Sequence, residues 1–176
     1  REYSFDDLHS LAEEAKSLNA YIDNEYPTFN TPGGDIRVKM AEYLQQTGQA
    51  VPQTVGEWVR CIFESLALKV KYCADYLKNT LGMPLEDAFV INGGSRNTLL
   101  VQLLSDALCL PIHAGMPYAT LAGNLLTQFY ADGKVSSVEE MREVAGRSFQ
   151  MKEYEPQPER DWDAALQAAV EKNVCH

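Results

Sequence analysis

Between positions 55 and 81, Val55, Trp58, Val59, Ile62, Phe63, Leu66, Ala67, Val70, Cys73, Ala74 and Leu77 recur in steps of three and four. Residues so spaced fall on one side of an α-helix, and the rhythm holds for about six turns. Thr54 and Glu57 form a capping box, each side chain meeting the other's backbone N–H, and Gly82 supplies a stop. The spacing therefore predicts a helix over residues 55–81 with an apolar stripe too broad to face water. Such a helix belongs in the middle of a domain, packed on a sheet or on several helices. A chain of 176 residues, 45% hydrophobic and 23% charged, is long enough to supply that cover as one ordinary domain.

The flanking sequence predicts a helix over residues 4–19, with Ser4 and Asp7 at its start and Leu8, Leu11, Ala12, Ala15 and Leu18 on one face. A loop holding Pro27, Pro32, Gly33 and Gly34 comes after it. A short helix over 35–46 is next, capped by Asp35 with Ile36, Met40 and Leu44 inward, and Gly48 ends it. Beyond the long helix, the run Ala-Phe-Val-Ile at 88–91 reads as a buried strand, and 96–108 as the helix after it. A second strand at 111–114, a helix at 119–130 and a helix at 138–147 begun by Ser137 and Glu140 continue the order. Residues 149–154 read as extended, and 161 to about 173 as a last helix. Strand, helix, strand, helix predicts a right-handed crossover in a parallel sheet. Two strands make too small a sheet for such a core, so partners outside the chain are expected.

A net charge of −10 and a pI near 4.7 exclude nucleic-acid and membrane-surface roles as first readings, because an acidic surface repels phosphate backbones and anionic lipid. Cys61, Cys73, Cys109 and Cys175 form no CxxC pair, and only His9, His113 and His176 could join them, which argues against a zinc site. Cys61 and Cys73 on one helix would stand roughly 18 Å apart, beyond disulfide reach. Reduced thiols in a cytoplasmic protein are the simpler expectation. No signal peptide opens the chain and no stretch has the length of a membrane span; its first residue, Arg1 rather than Met, fits a fragment.

The Asn92-Gly93-Gly94-Ser95 turn lies between a predicted strand and a helix start. Glycine there lets backbone approach a ligand, and the helix start offers N–H groups and a positive dipole end for phosphate or ribose oxygens. By itself this is neither GxGxxG nor a P-loop, and taken alone it reads first as a plain tight strand-to-helix turn.

Its surroundings are more specific. The segment Arg60-Cys61-Ile62-Phe63-Glu64-Ser65-Leu66-Ala67-Leu68, then Phe89-Val90-Ile91-Asn92-Gly93-Gly94-Ser95-Arg96-Asn97-Thr98-Leu99-Leu100, resembles the FGGY carbohydrate kinase family, with the pattern of its rhamnulokinase members. Gln102 to Ala107, Ala119-Thr120-Leu121-Ala122-Gly123-Asn124, Tyr154-Glu155-Pro156-Gln157-Pro158 and Trp162-Asp163 are similar to that family's later helices and C-terminal tail. The resemblance implies a predominantly helical α/β chain: part of a ribonuclease H-like, actin-like domain with a short parallel sheet flanked by helices. It also implies an ATP-dependent sugar kinase acting on a ketose, rhamnulose first, with xylulose, fuculose or gluconate as alternatives. Its two lobes would close on ATP, Mg²⁺ and sugar, and the catalytic aspartate and most of the Mg²⁺ site would lie in the lobe that this chain lacks. By motif match Gly93 and Gly94 would contact ATP through backbone and Asn97 would lie beside the adenosine. The chain alone is expected to be inactive, and no catalytic residue is assigned to it.

Two positions depart from the family pattern. Asn92 stands where a third glycine is frequent, and asparagine is well tolerated in the left-handed region. Tyr118 stands where the family carries Glu. Elsewhere the plain reading prevails: His113 as a core or rim histidine, Asp106 as structural or solvated, Glu64 as solvated, Glu139, Glu140, Glu153 and Glu155 as acidic surface. Ser65, Ser95 and Ser105 show no His/Asp partners for a triad. Absent sheet strands should leave an open edge or an apolar patch on the long helix, through which the chain could dimerise. The rival from another class is a non-catalytic helical module gripping a partner with that stripe; it predicts an exposed apolar face, where the kinase reading predicts a buried helix and an open glycine turn.

Overall fold

The long helix organises the chain. A computed structural model describes residues 2–157, 159–172 and 174, so the readings that touch Arg1, Pro158, Asn173, Cys175 and His176 lie outside the described residues. Helix α3 runs Val55–Asn79, opened by the Thr54–Glu57 capping box. Before it come α1 (Phe5–Glu14), a 3-10 turn at Pro27–Asn30 inside the segment expected to be loop, and α2 (Ile36–Gln46). After it come β1 (Ala88–Val90), a 3-10 turn at Asn92–Arg96, α4 (Thr98–Leu108), β2 (Ile112–Gly115), α5 (Ala119–Ala131), α6 (Val138–Ser148), β3 (Met151–Tyr154) and α7 (Trp162–Glu171).

The sheet has three strands in the order β1-β2-β3. β1 and β2 are parallel, as the crossover predicts, while β3 returns antiparallel to β2, so the sheet is mixed rather than parallel. One face carries Ala88, Val90, Ile112, Ala114 and Tyr154 onto α4 and the core beyond it. The other carries Phe89, His113 and Glu153, and Phe89 is 63% exposed. Ser105, fully buried in α4, places its hydroxyl 2.8 Å from both the Leu110 and Tyr154 carbonyls, which fastens β3 to the end of α4.

Three expectations give way to tertiary structure. The first helix ends at Glu14, and residues 16–23 run as a strap across α3 instead. Its backbone groups find side-chain partners there: Tyr21 N–H donates to Gln49 Oε1, Gln49 Nε2 donates to the Tyr21 carbonyl, and Ile22 N–H donates to Ser65 Oγ. Met40 and Leu44 of α2 are buried as expected, but Ile36 is exposed and Tyr43 takes the inward place, packed against Tyr26 and Phe29. Glu64, expected in solvent, is 1% exposed. The buried face of α3 is rotated from the apolar stripe and holds Gly56, Cys61, Glu64, Ser65, Ala67, Leu68 and Lys71; of the stripe Ala67 is buried, Val70 and Cys73 are exposed and the other members are half-covered.

Glu64 is tolerated inside because cations surround it. Arg60 Nε donates to one oxygen at 2.8 Å and Ser17 Oγ to the other at 2.7 Å. Arg160 Nη1 stands 3.1 Å from that second oxygen, an ion pair that misses hydrogen-bond geometry. Arg160 also donates to Asn19 and Tyr21 and lies over the Trp162 ring. Lys71, also buried, bridges Asp75 and Asp163 and ties α7 to α3. Gly56 lets α1 rest on α3, since a Cβ there would lie 2.2 Å from the Leu11 carbonyl oxygen.

Candidate functional site

The carboxyl ends of parallel β1 and β2 open into adjacent loops, the position where open α/β sheets characteristically bind ligands. The loop after β1 is the Asn92–Arg96 turn, and the one after β2 runs through Met116 to Tyr118. Asn92 joins them. Its N–H donates to the Met116 carbonyl at 3.1 Å, and its side-chain amide lies 3.4 Å from both the N–H and the hydroxyl of Thr120. Asn92 has φ +60°, so the asparagine does occupy a left-handed position there. Ser95 Oγ donates to the Asn92 carbonyl and closes the turn at 2.7 Å.

Gly93 and Gly94 are exposed and neither has a positive φ. Packing within the chain does not demand glycine either: a Cβ on Gly93 would meet nothing within 4 Å, and one on Gly94 only Val90 Cγ1 at 3.7 Å. The bare backbone therefore faces outward, which is the open turn that the nucleotide reading calls for.

Asn97 is the N-cap of α4, and its Oδ1 accepts the Leu100 N–H at 3.0 Å. The Leu99 N–H donates to His9 Nε2 of α1 at 3.1 Å. The motif alone leads one to expect free donors at this helix start; two of its first-turn amides are instead occupied by protein acceptors. Any ligand at this corner must use the turn's own backbone and the remaining edge of Asn97. Arg96 Nη2 donates to Tyr118 Oη at 3.2 Å, so Tyr118 holds an arginine at the rim.

The turn stands on open surface. A cleft of about 540 Å³ lies between α1 and the start of α3, bordered by Tyr3, Asp7, Leu11, Thr54 and Gly56. A second, of about 310 Å³, is bordered by Lys71, Asp106, Gln157, Arg160 and Trp162. Neither includes the turn. Asp106 accepts from Gln102 Nε2 and from the Gln157 N–H, both at 2.8 Å, a structural role; burial first of all pushes its carboxyl above the usual range. His113 is half-buried on the open sheet face, 3.5 Å from Asp87 and stacked on Phe89, a rim histidine. Cys61 is buried, its thiol pushed up to about 12 chiefly by burial. Among the described residues no group of three or more His, Cys, Asp or Glu could hold a metal ion, and no helix is long and apolar enough to cross a membrane.

The feature that sequence reasoning misses is the set around Glu64. Arg60 at i−4 is a visible signal for an ion pair, but Ser17 and Arg160 come from distant segments and leave no local trace.

Comparison with known proteins places these features. Residues 1–131 match the model of the FGGY family of carbohydrate kinases, C-terminal domain. The chain is 38% identical over 162 residues to a rhamnulokinase of Bacteroides thetaiotaomicron, covering 92% of this chain and 33% of that protein. It is 33% identical over 155 residues to a rhamnulokinase of Bacillus subtilis, covering 88% of this chain and 32% of the relative. The chain thus spans about one third of the length of these relatives. In structure it is similar to a xylulose kinase from Rhodospirillum rubrum (TM-score 0.63, 15% identity, 93% of this chain and 32% of that one). A gluconate kinase from Lactobacillus acidophilus gives TM-score 0.62 at 18% identity, over 96% of this chain and 34% of that one. The helical α/β arrangement is therefore part of the actin-like fold of these kinases. The chain belongs to the FGGY family of carbohydrate kinases, matching its C-terminal domain.

Proposed function

We propose that this chain is the nucleotide-holding part of a cytoplasmic sugar kinase that transfers the γ-phosphoryl group of ATP to L-rhamnulose, giving L-rhamnulose 1-phosphate. Gly93 and Gly94 contact the nucleotide through their backbone, and Asn97 lies beside the adenosine. The observation that carries this reading is the outward-facing glycine pair at the ends of parallel strands, glycine for no reason internal to the chain. ATP supplies the phosphoryl group, and Mg²⁺ would neutralise charge on its phosphates. We assign no metal ligand and no catalytic base to this chain; both belong to the preceding lobe, as does most of the sugar pocket. The rhamnulokinase relatives, which align along about nine-tenths of the chain, support rhamnulose as the sugar. The likeness to xylulose and gluconate kinases concerns the fold alone.

The test uses the full-length kinase that contains this sequence. Gly93→Val adds a side chain where the fold has room, so melting behaviour should be kept. The KM for ATP should rise about tenfold or more, equivalent to ~1.4 kcal/mol of lost binding, while the KM for sugar stays put. An unchanged KM for ATP in a folded variant would remove the turn from the nucleotide site. A panel of rhamnulose, xylulose, fuculose and gluconate settles the substrate, and a preference for any of the last three would overturn the rhamnulose assignment. The 176-residue chain alone should phosphorylate none of them.

A further inference from the structure

We propose that His9 is a positioning residue for the glycine turn, holding it through a contact that only the neutral imidazole can make. His9 lies on α1, yet its Nε2 reaches the first turn of α4, 3.1 Å from the Leu99 N–H and 3.0 Å from Thr98 Oγ1. A backbone N–H can only donate, so Nε2 must offer a lone pair. The ring proton then sits on Nδ1, on the side of Glu13 Oε2 at 3.7 Å. Asn97, which caps the neighbouring Leu100 N–H, is also the residue that closes the turn, its own N–H donating to the Gly94 carbonyl at 3.1 Å. His9 and Asn97 together thus fix the start of α4, and the backbone of Gly93 and Gly94 hangs from that start.

Protonation changes the partner. An imidazolium has no lone pair at Nε2; it can donate to Thr98 Oγ1 but must release the Leu99 N–H, and its charge faces the positive end of the α4 dipole. The charged groups about it are Glu13 on its own helix and, from α3, Arg60, which reaches the Ala12 carbonyl of α1 and is itself held by Glu64. What the grip controls rests on the nucleotide reading of the turn; the grip itself does not.

The test is run on the full chain without nucleotide. At pH 8 the ¹⁵N spectrum of the His9 ring should show Nδ1 protonated and Nε2 bare. The Leu99 amide should exchange about tenfold faster in His9→Leu, the effect of losing one hydrogen bond, whereas His9→Gln, whose side-chain carbonyl can accept, should restore protection. A proton on Nε2 at pH 8, or Leu99 protection that is insensitive to substitution of His9, would overturn the proposal. Either result leaves the Gly93→Val experiment untouched. Failure of Gly93→Val to affect ATP would equally leave the His9 contact standing.

Discussion

Removing the Glu64 carboxylate is expected to be among the most damaging changes outside the apolar core. The side chain is 1% exposed and serves Arg60, Arg160 and Ser17 at once. Glu64→Leu fills most of the space but leaves two guanidinium groups facing an apolar side chain. Breaking a buried pair by deleting one partner costs about 3–5 kcal/mol. Both arginine side chains retain about a fifth of their exposure, 21% for Arg60 and 20% for Arg160, so water can partly rehydrate them and the lower end applies. A loss of about 3 kcal/mol should lower Tm by roughly 6–12 °C for a chain of this size. Glu64→Gln keeps shape and one acceptor, and should cost about half as much, since charge-assisted bonds are roughly twice as strong as neutral ones. Urea unfolding of wild type, Glu64→Leu, Arg160→Leu and the double variant closes a cycle. The coupling between Glu64 and Arg160 should exceed about 1 kcal/mol, because the double variant removes both charges and leaves neither of the two stranded. A Glu64→Leu protein within ~0.5 kcal/mol of wild type, the range of ordinary surface changes, would refute the idea that this charge is internally compensated.

Two further outcomes come from the same geometry. Tyr21 sits against Arg160, its phenol raised from 10.0 to about 12 by burial first, with Glu64 and Cys61 adding to the rise and Arg160 opposing it. A raised pKa favours the protonated phenol in the fold, so that contribution is whole below pH 10 and lost as the pH climbs from 10 to 12. The stability advantage of wild type over Tyr21→Phe should therefore shrink across that window in urea titrations, and an advantage that stayed constant would contradict it. At Asn92, with φ +60°, Asn92→Ala should destabilise by about 1–2 kcal/mol through the left-handed backbone alone, while Asn92→Gly should recover most of that. Equal stability of the two variants would mean the backbone there is not under the constraint described.

The elements most plainly written in the sequence are those whose signals are local. The three-and-four rhythm and the Thr54–Glu57 box announce α3 because helix geometry and capping act within a few residues. Asn92 announces its own left-handed place, and the strand runs at 88–91 and 111–114 announce the parallel pair. The illegible parts depend on distant partners. The apolar spacing of α1 continues through Leu18, and only Gln49 and Ser65, on later elements, explain why residues 16–23 leave the helix. Residues 149–154 read as extended, but nothing local says that Met151–Tyr154 pairs with β2. For the candidate site, the glycine pair and Asn97 are visible as a motif, whereas the capping of Leu99 by His9 spans 90 positions and no pattern marks it. Glu64 reads as solvated because it lies opposite the apolar stripe of its helix, and the side it does face is covered by distant segments that bring Ser17 and Arg160.

The strap and Arg160 also constrain how the chain is made. While a ribosome is still threading out the second half, Glu64 has emerged with Arg60 and Ser17 but without its other cation. At ordinary elongation rates the wait between position 64 and position 160 is about 5–20 s. Over that interval Glu64 has only Arg60 and Ser17 of its three folded-state partners available. The set around Glu64 is complete only when the Arg160 guanidinium is in place over Tyr21 and Trp162, nearly a hundred positions further along the chain.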